Sequence, residues 1–77
     1  MFTPGYHEML NQLRALRLEK GLNQGDLARI LGETQSWVSK CERGEHRLDV
    51  MELRTFCLAM GTPLVEFIQR LENALAG

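Results

Sequence analysis

Several things are scarce in this chain, and each scarcity removes a class of protein. Proline occurs twice in 77 residues, at Pro4 and Pro63, so no proline breaks a helix between them. There is no surplus of positive charge: nine Lys and Arg face ten Asp and Glu, for a net charge of −1. That balance argues against a sequence-blind basic coat for nucleic acid, so any contact with an anionic polymer must come from a local arrangement of charge. The two cysteines, Cys41 and Cys57, form no C-x-x-C pair and join no Cys/His cluster, which argues against zinc. Both fall at apolar helical positions and read as small buried hydrophobes in a reducing setting. No apolar run approaches membrane-spanning length, and residues 1–5 lack the basic start and apolar run of a signal peptide. The expected location is the cytoplasm, and no cofactor or metal is expected.

What remains is ordinary globular composition, 44% apolar, in a chain long enough for one domain, residues 1–77. A chain this short buries only about 60% of its unfolded surface, so its stability is marginal. Leu, Glu, Arg and Ala favour helix throughout. Five helices follow from caps and periodicity. The first spans about residues 6–20, with Leu10, Leu13, Leu16 and Arg17 on one face and Gly21 closing it. Asn23 caps the second, with Asp26 three residues on as in a capping box; Leu27, Ala28 and Leu31 form its inner face. Gly32 allows a tight turn, and Thr34 caps a third helix that runs to about Arg43 and stops at Gly44. A loop through residues 45–48 follows. Asp49 and Glu52 mark the start of a fourth helix, residues 50–60. Thr62 opens a fifth, with Pro63 at its first position, running to about Leu75. Short elements with shorter connections make an all-α, compact five-helix bundle.

The stretch QGDLARILGETQSWVSKCERG, residues 24–44, carries the functional signal. Its second helix has one narrow apolar edge, Val38 and Cys41, with Glu42 beside them. Ser36, Ser39, Lys40 and Arg43 point away from that edge, Gln35 lies in the first turn, and Trp37 sits on the flank. Such an edge is too narrow for a core helix. A helix of hydrogen-bonding side chains with few carboxylates is what a DNA major groove accepts. The same face could also simply be solvated; its place after a tight turn favours DNA.

With these residues in view, the chain resembles the lambda-repressor-like, XRE or Cro-type, helix-turn-helix DNA-binding family. The resemblance rests on Gly21, Gln24, Leu27, Ala28, Gly32, Gln35, Val38, Glu42 and Gly44, and continues through EHRLDVMELRTFCLAMGTPLVEFI. It implies a lambda-repressor-like domain with the helix-turn-helix at about residues 24–43, and a role for each matching position. Gln35, Ser36, Ser39 and Lys40 would read base edges; a Gln pairs with adenine N6 and N7, and Lys40 reaches either guanine or a phosphate. Gln24, Thr34, Trp37, Arg43, His46 and Arg47 would meet phosphates, Gln24 at a helix N-terminus that favours anions. Trp37 has an equal alternative, covering the gap between the second and third helices. Glu45 among the loop cations leaves a solvated charged loop as the alternative for that segment. Arg17 and Glu42 would form an internal ion pair that fixes the recognition helix.

The late helices carry apolar residues where such domains are often polar: Met51, Leu58, Val65, Ile68 and Leu75. They suit a two-fold homodimer contact. The expected function is thus a sequence-specific DNA-binding transcriptional regulator, a repressor that binds double-stranded DNA at a palindromic operator as a dimer. The alternative is a protein-interaction module or antitoxin-type partner, bound to a toxin or another regulator, that keeps the fold with weak or no DNA binding; heparin retention at low salt separates the two. An enzyme is not expected. Ser36, Ser39 and His46 are the nearest nucleophile and base candidates, no carboxylate is placed in sequence to orient the His, and a convex helix is not a pocket.

Overall fold

The computed structural model describes residues 3–77; Met1 and Phe2, part of the segment read for a leader, lie outside the described residues. Five helices follow one another: α1 (Pro4–Glu19), α2 (Gln24–Leu31), α3 (Gln35–Glu42), α4 (Val50–Ala59) and α5 (Leu64–Ala76), with no strand among the described residues.

The helix starts are chemically explicit. The Asn23 side chain accepts the Asp26 N–H at 2.7 Å while the Asp26 carboxylate accepts the Asn23 N–H at 3.0 Å. Asp49 and Glu52 repeat this box at α4, at 2.7 and 3.0 Å. Each pair satisfies two backbone donors that a helix start leaves open. Thr34 caps α3 by accepting the Trp37 N–H at 3.1 Å. Gly32 ends α2 with φ of 71°, a left-handed conformation that is cheap only for glycine and that turns the chain directly into α3.

Two helix starts differ from the sequence expectation. α1 begins at Pro4, because Thr3 supplies a cap by accepting the Tyr6 N–H. α5 begins at Leu64, with Pro63 in the cap position rather than inside the helix. Thr62 is buried, and its N–H closes the end of α4 on the Cys57 carbonyl at 2.9 Å, so it is occupied as a stop for one helix and makes no cap for the next.

The core is built from Leu13 and Leu16 of α1, Leu27 and Ala28 of α2, Val38 and Cys41 of α3, Phe56 and Cys57 of α4 and Phe67 of α5. Leu48, read in sequence as a loop residue, is also buried in this core. Its N–H donates to the Tyr6 hydroxyl at 2.9 Å, so the loop is pinned to the start of α1 and can bury an apolar side chain without stranding its backbone. α1 and α5 are joined on the outside by Arg70, whose guanidinium donates to Glu19 and, at 2.8 Å, to Gln12. None of Met51, Leu58, Val65 and Leu75 enters the core; they are 48 to 77% exposed, and Ile68 is exposed at 36%.

Candidate nucleic-acid interface

α3 sits across α1 and α2 with a sharp division of sides. Val38 and Cys41 are 0 and 1% exposed. At 3.6 residues per turn, Gln35, Ser39, Arg43, Ser36 and Lys40 fall within an arc of roughly 140° on the other side. Gln35, Ser36 and Lys40 are exposed, and Ser39 is half-buried. Ser39 is already engaged, since its hydroxyl accepts from the Arg43 guanidinium. Gln35, Ser36 and Lys40 therefore form the outward surface, and Ser39 stands behind them holding Arg43.

The orientation of α3 is set from the inside. Arg17 of α1, 5% exposed, donates from Nε to Glu42 Oε2 at 2.6 Å and from Nη2 to Oε1 at 3.0 Å, and its Nη1 donates to the Leu22 carbonyl at 2.9 Å. Gln24 joins the same group: its side-chain amide donates to Glu42 Oε1 at 3.1 Å. Such a side chain has two amide hydrogens, so one is taken by Glu42 and one remains for an acceptor outside. The last residue of α3 is thus tied to both α1 and the first residue of α2.

The residues after α3 are less free than their sequence suggests. Arg43 Nε donates to Glu45 at 2.6 Å. That hydrogen bond, with the charge attraction behind it, lowers the Glu45 carboxyl and raises the Arg43 guanidinium from their ordinary values. His46 Nε2 lies 2.9 Å from Glu52, which corrects the expectation that no carboxylate is placed to orient it. The Glu52 carboxyl is held below its usual value first by the Asp49 N–H and then by His46. Arg47 lays its guanidinium over the Tyr6 ring, 4.5 Å from the centroid, a cation–π contact. Trp37 is half-buried, its ring 5.4 Å from His46 and 5.7 Å from Phe56. The ring thus packs against the loop after α3 and against α4.

Burial pushes the Cys41 thiol up to about 12 and the Cys57 thiol up to about 11, with the Glu52, Glu33 and Glu42 charges adding to the shift of Cys41. Both thiols are free and buried. Among the described residues no cluster of His, Cys, Asp and Glu could hold a metal ion, and no helix is long and apolar enough to cross a membrane.

Tyr6 and the buried Leu48 brace this edge of the molecule without any mark in the sequence. They act across 42 positions, and nothing in local periodicity marks such a contact.

Comparison with known proteins agrees with this architecture. The profile of a helix-turn-helix domain family matches residues 8–67. An XRE-family like protein from Pseudomonas syringae pv. tomato str. DC3000 superposes with a TM-score of 0.84 at 40% identity, over 91% of this chain and 85% of that one. The clp gene regulator ClgR from Corynebacterium glutamicum shares the fold, with a TM-score of 0.80 at 22% identity, over 96% of this chain and 79% of that one. No curated protein matches the chain significantly.

Proposed function

Because the chain belongs to the XRE-type helix-turn-helix DNA-binding family, we propose that it is a sequence-specific transcriptional regulator that represses by occupying a palindromic operator as a dimer. The observation that carries this reading is the build of α3: three exposed polar residues on one side, and on the other the buried Arg17–Glu42 side-chain pair, joined by the half-buried Gln24, that fixes the helix. A recognition helix held rigidly can dock its side chains on base edges without losing much conformational freedom on binding.

Gln35, Ser36 and Lys40 then read bases in the major groove, Gln35 by two hydrogen bonds to an adenine. Gln24, Thr34 and Arg43, at helix ends, and Arg47, in the loop after α3, meet the phosphates. For Gln24 the remaining amide hydrogen serves. Arg43, paired with Glu45, and Arg47, stacked on Tyr6, stand just beyond α3 as the guanidinium groups for this contact. Trp37 and His46 support this edge from behind.

Self-association is assigned to α5. Val65, Ile68 and Leu75 fall within roughly 80° of one another around its axis, all exposed, next to the stripe that packs on α1 and α4. Two copies related by a two-fold axis would present their recognition helices about 34 Å apart, one turn of DNA. Selection of bound sequences from a random duplex pool tests the reading. An enriched site with inverted symmetry and half-sites one turn apart is expected. Failure to enrich any sequence over the starting pool would reject it.

A further inference from the structure

A second surface of the molecule has the chemistry of a protein-binding groove. A cleft of about 280 Å³ opens between the end of α2 and the start of α4. Its floor is apolar, from Leu31, Trp37, Met51 and Phe56; its rim carries Glu33, Asp49 and Glu52, with no Lys or Arg among the lining residues. A second cleft, of about 320 Å³, lies between the same two helices and is lined by Ile30, Leu31, Thr55, Leu58 and Ala59. Leu31 and Thr55 line both, so the two are one groove along α4, acidic and aromatic at one end and aliphatic at the other.

The details favour an occupant that is both apolar and cationic. Met51, Thr55 and Leu58 fall on one face of α4, and Met51 to Leu58 covers two turns, about 10 Å. Met51, Ile30 and Leu58 are 62, 56 and 48% exposed, more apolar surface than a lone domain needs to show on one line. The Thr55 hydroxyl is returned to the Met51 carbonyl at 3.1 Å, so it offers the groove no free donor. Three carboxylates on the rim repel a phosphate backbone and attract a guanidinium or ammonium group, and Trp37 lines the cleft beside them.

We propose that the α2–α4 groove docks a helical segment of a partner protein, with apolar side chains seated against Ile30, Met51 and Leu58 and a Lys or Arg drawn to Glu33, Asp49 and Glu52. Two turns of groove match the spacing of anchors that an amphipathic helix presents at i, i+3 or i+4, and i+7. Val65, Ile68 and Leu75 lie on α5, line neither cleft and remain for self-association. The groove sits beside the flank of α3 through Trp37, so its occupant would stand next to DNA bound by that helix.

Trp37 is the single tryptophan of the chain and reports directly on this groove. A displayed library of helical peptides about four turns long, selected on the full chain, supplies the probe. Enriched peptides should carry Lys or Arg beside Leu, Ile or Phe at helical spacing, and as synthetic peptides they should shift Trp37 emission in a saturable way. Glu33→Lys should weaken that binding about tenfold through like-charge repulsion. Leu58→Glu should weaken it at least as much, with Ile30→Glu as the second variant should Leu58→Glu fail to fold. Peptides without basic residues, or binding indifferent to these substitutions, would overturn the proposal. So would no enrichment, a Trp37 shift that follows protein concentration alone and marks a second copy as the occupant, or a shift produced by DNA and removed by Leu58→Glu.

Discussion

Arg17 grips Glu42 through two parallel contacts of 2.6 and 3.0 Å across 25 positions of sequence, and both side chains are less than a tenth exposed. A buried pair of this kind adds little net stability over an apolar pair of the same size, but losing one partner strands the other charge in the core. Arg17→Ala should therefore destabilise the fold by about 3–5 kcal/mol, and Arg14→Ala, on the exposed side of α1, by no more than about 0.5 kcal/mol. Thermal or urea unfolding of the two variants measures the difference. Pairing Arg17→Met with Glu42→Leu should restore most of the loss; equal stability of the two single variants would mean the pair carries no weight.

The thiols should be inert in the folded protein. The thiolate is the reactive form, and burial holds Cys41 at about 12 and Cys57 at about 11. At pH 8 a thiol-specific reagent should leave the native protein untouched and modify both cysteines once denaturant is added. Native protein that reacts at the rate of a free cysteine would show that one of these helices opens readily.

Acid should loosen the start of α4. Glu52 titrates below its usual 4.5 because the Asp49 N–H and His46 favour its charged form. A carboxyl depressed by folding contributes stability that is present above its unfolded pKa and lost as pH falls through the folded value. Melting temperature should thus decline as pH drops below about 4.5. Glu19 and Glu45, lowered by Arg70 and Arg43, contribute in the same window. Glu52→Gln retains the cap geometry and should flatten part of that decline; an unchanged pH profile would remove Glu52 from it.

Much of this fold could be read from sequence because its signals are local. The Asn23–Asp26 and Asp49–Glu52 boxes are relations between residues three apart, and Gly32 announces its turn by itself. The start of α5 lies one residue later than its sequence suggests: Thr62 resembles a cap, yet its backbone N–H closes α4 and the residue is buried. Leu48 looked like loop because only the distant Tyr6 hydroxyl makes its burial possible. Arg70, joined to Glu19 and Gln12 over more than fifty positions, gave no periodic signal. In the candidate interface, the outward residues of α3 follow from helical geometry. The Gln24–Glu42 bond and the Arg47–Tyr6 stack required the three-dimensional path of the chain.

Self-association through α5 makes a narrow demand. Val65 is the most exposed of the large apolar residues among those described, at 77%. Val65→Glu combined with Ile68→Glu should leave the helical spectrum intact while sedimentation shifts from dimer to monomer, because like charges would face each other across a two-fold axis. Leu58→Glu should leave the dimer as it was. A dimer lost with Leu58→Glu and kept with the α5 substitutions would move the interface to the α2–α4 groove.

How DNA is read gives the sharpest test. Gln35, Ser36 and Lys40 project from the exposed side of α3, whereas Arg47 lies beyond its end, stacked on Tyr6. Base contacts discriminate and backbone contacts do not. Gln35→Ala should cost roughly 1–3 kcal/mol on the selected site and little on random duplex. Arg47→Ala should weaken both duplexes alike and reduce the salt slope by about one for each phosphate it no longer neutralises, hence about two for a dimer. Because Arg47 also packs on Tyr6, its variant must be checked for stability first; Arg47→Lys keeps the charge and should recover most of the salt slope even if the stacking is weakened. Titrations of parent and variants on both duplexes at several salt concentrations decide the matter. Equal weakening of both duplexes by Gln35→Ala would take base reading away from that residue. If neither Gln35→Ala nor Arg47→Ala differs from the parent, DNA is not bound through this face of α3.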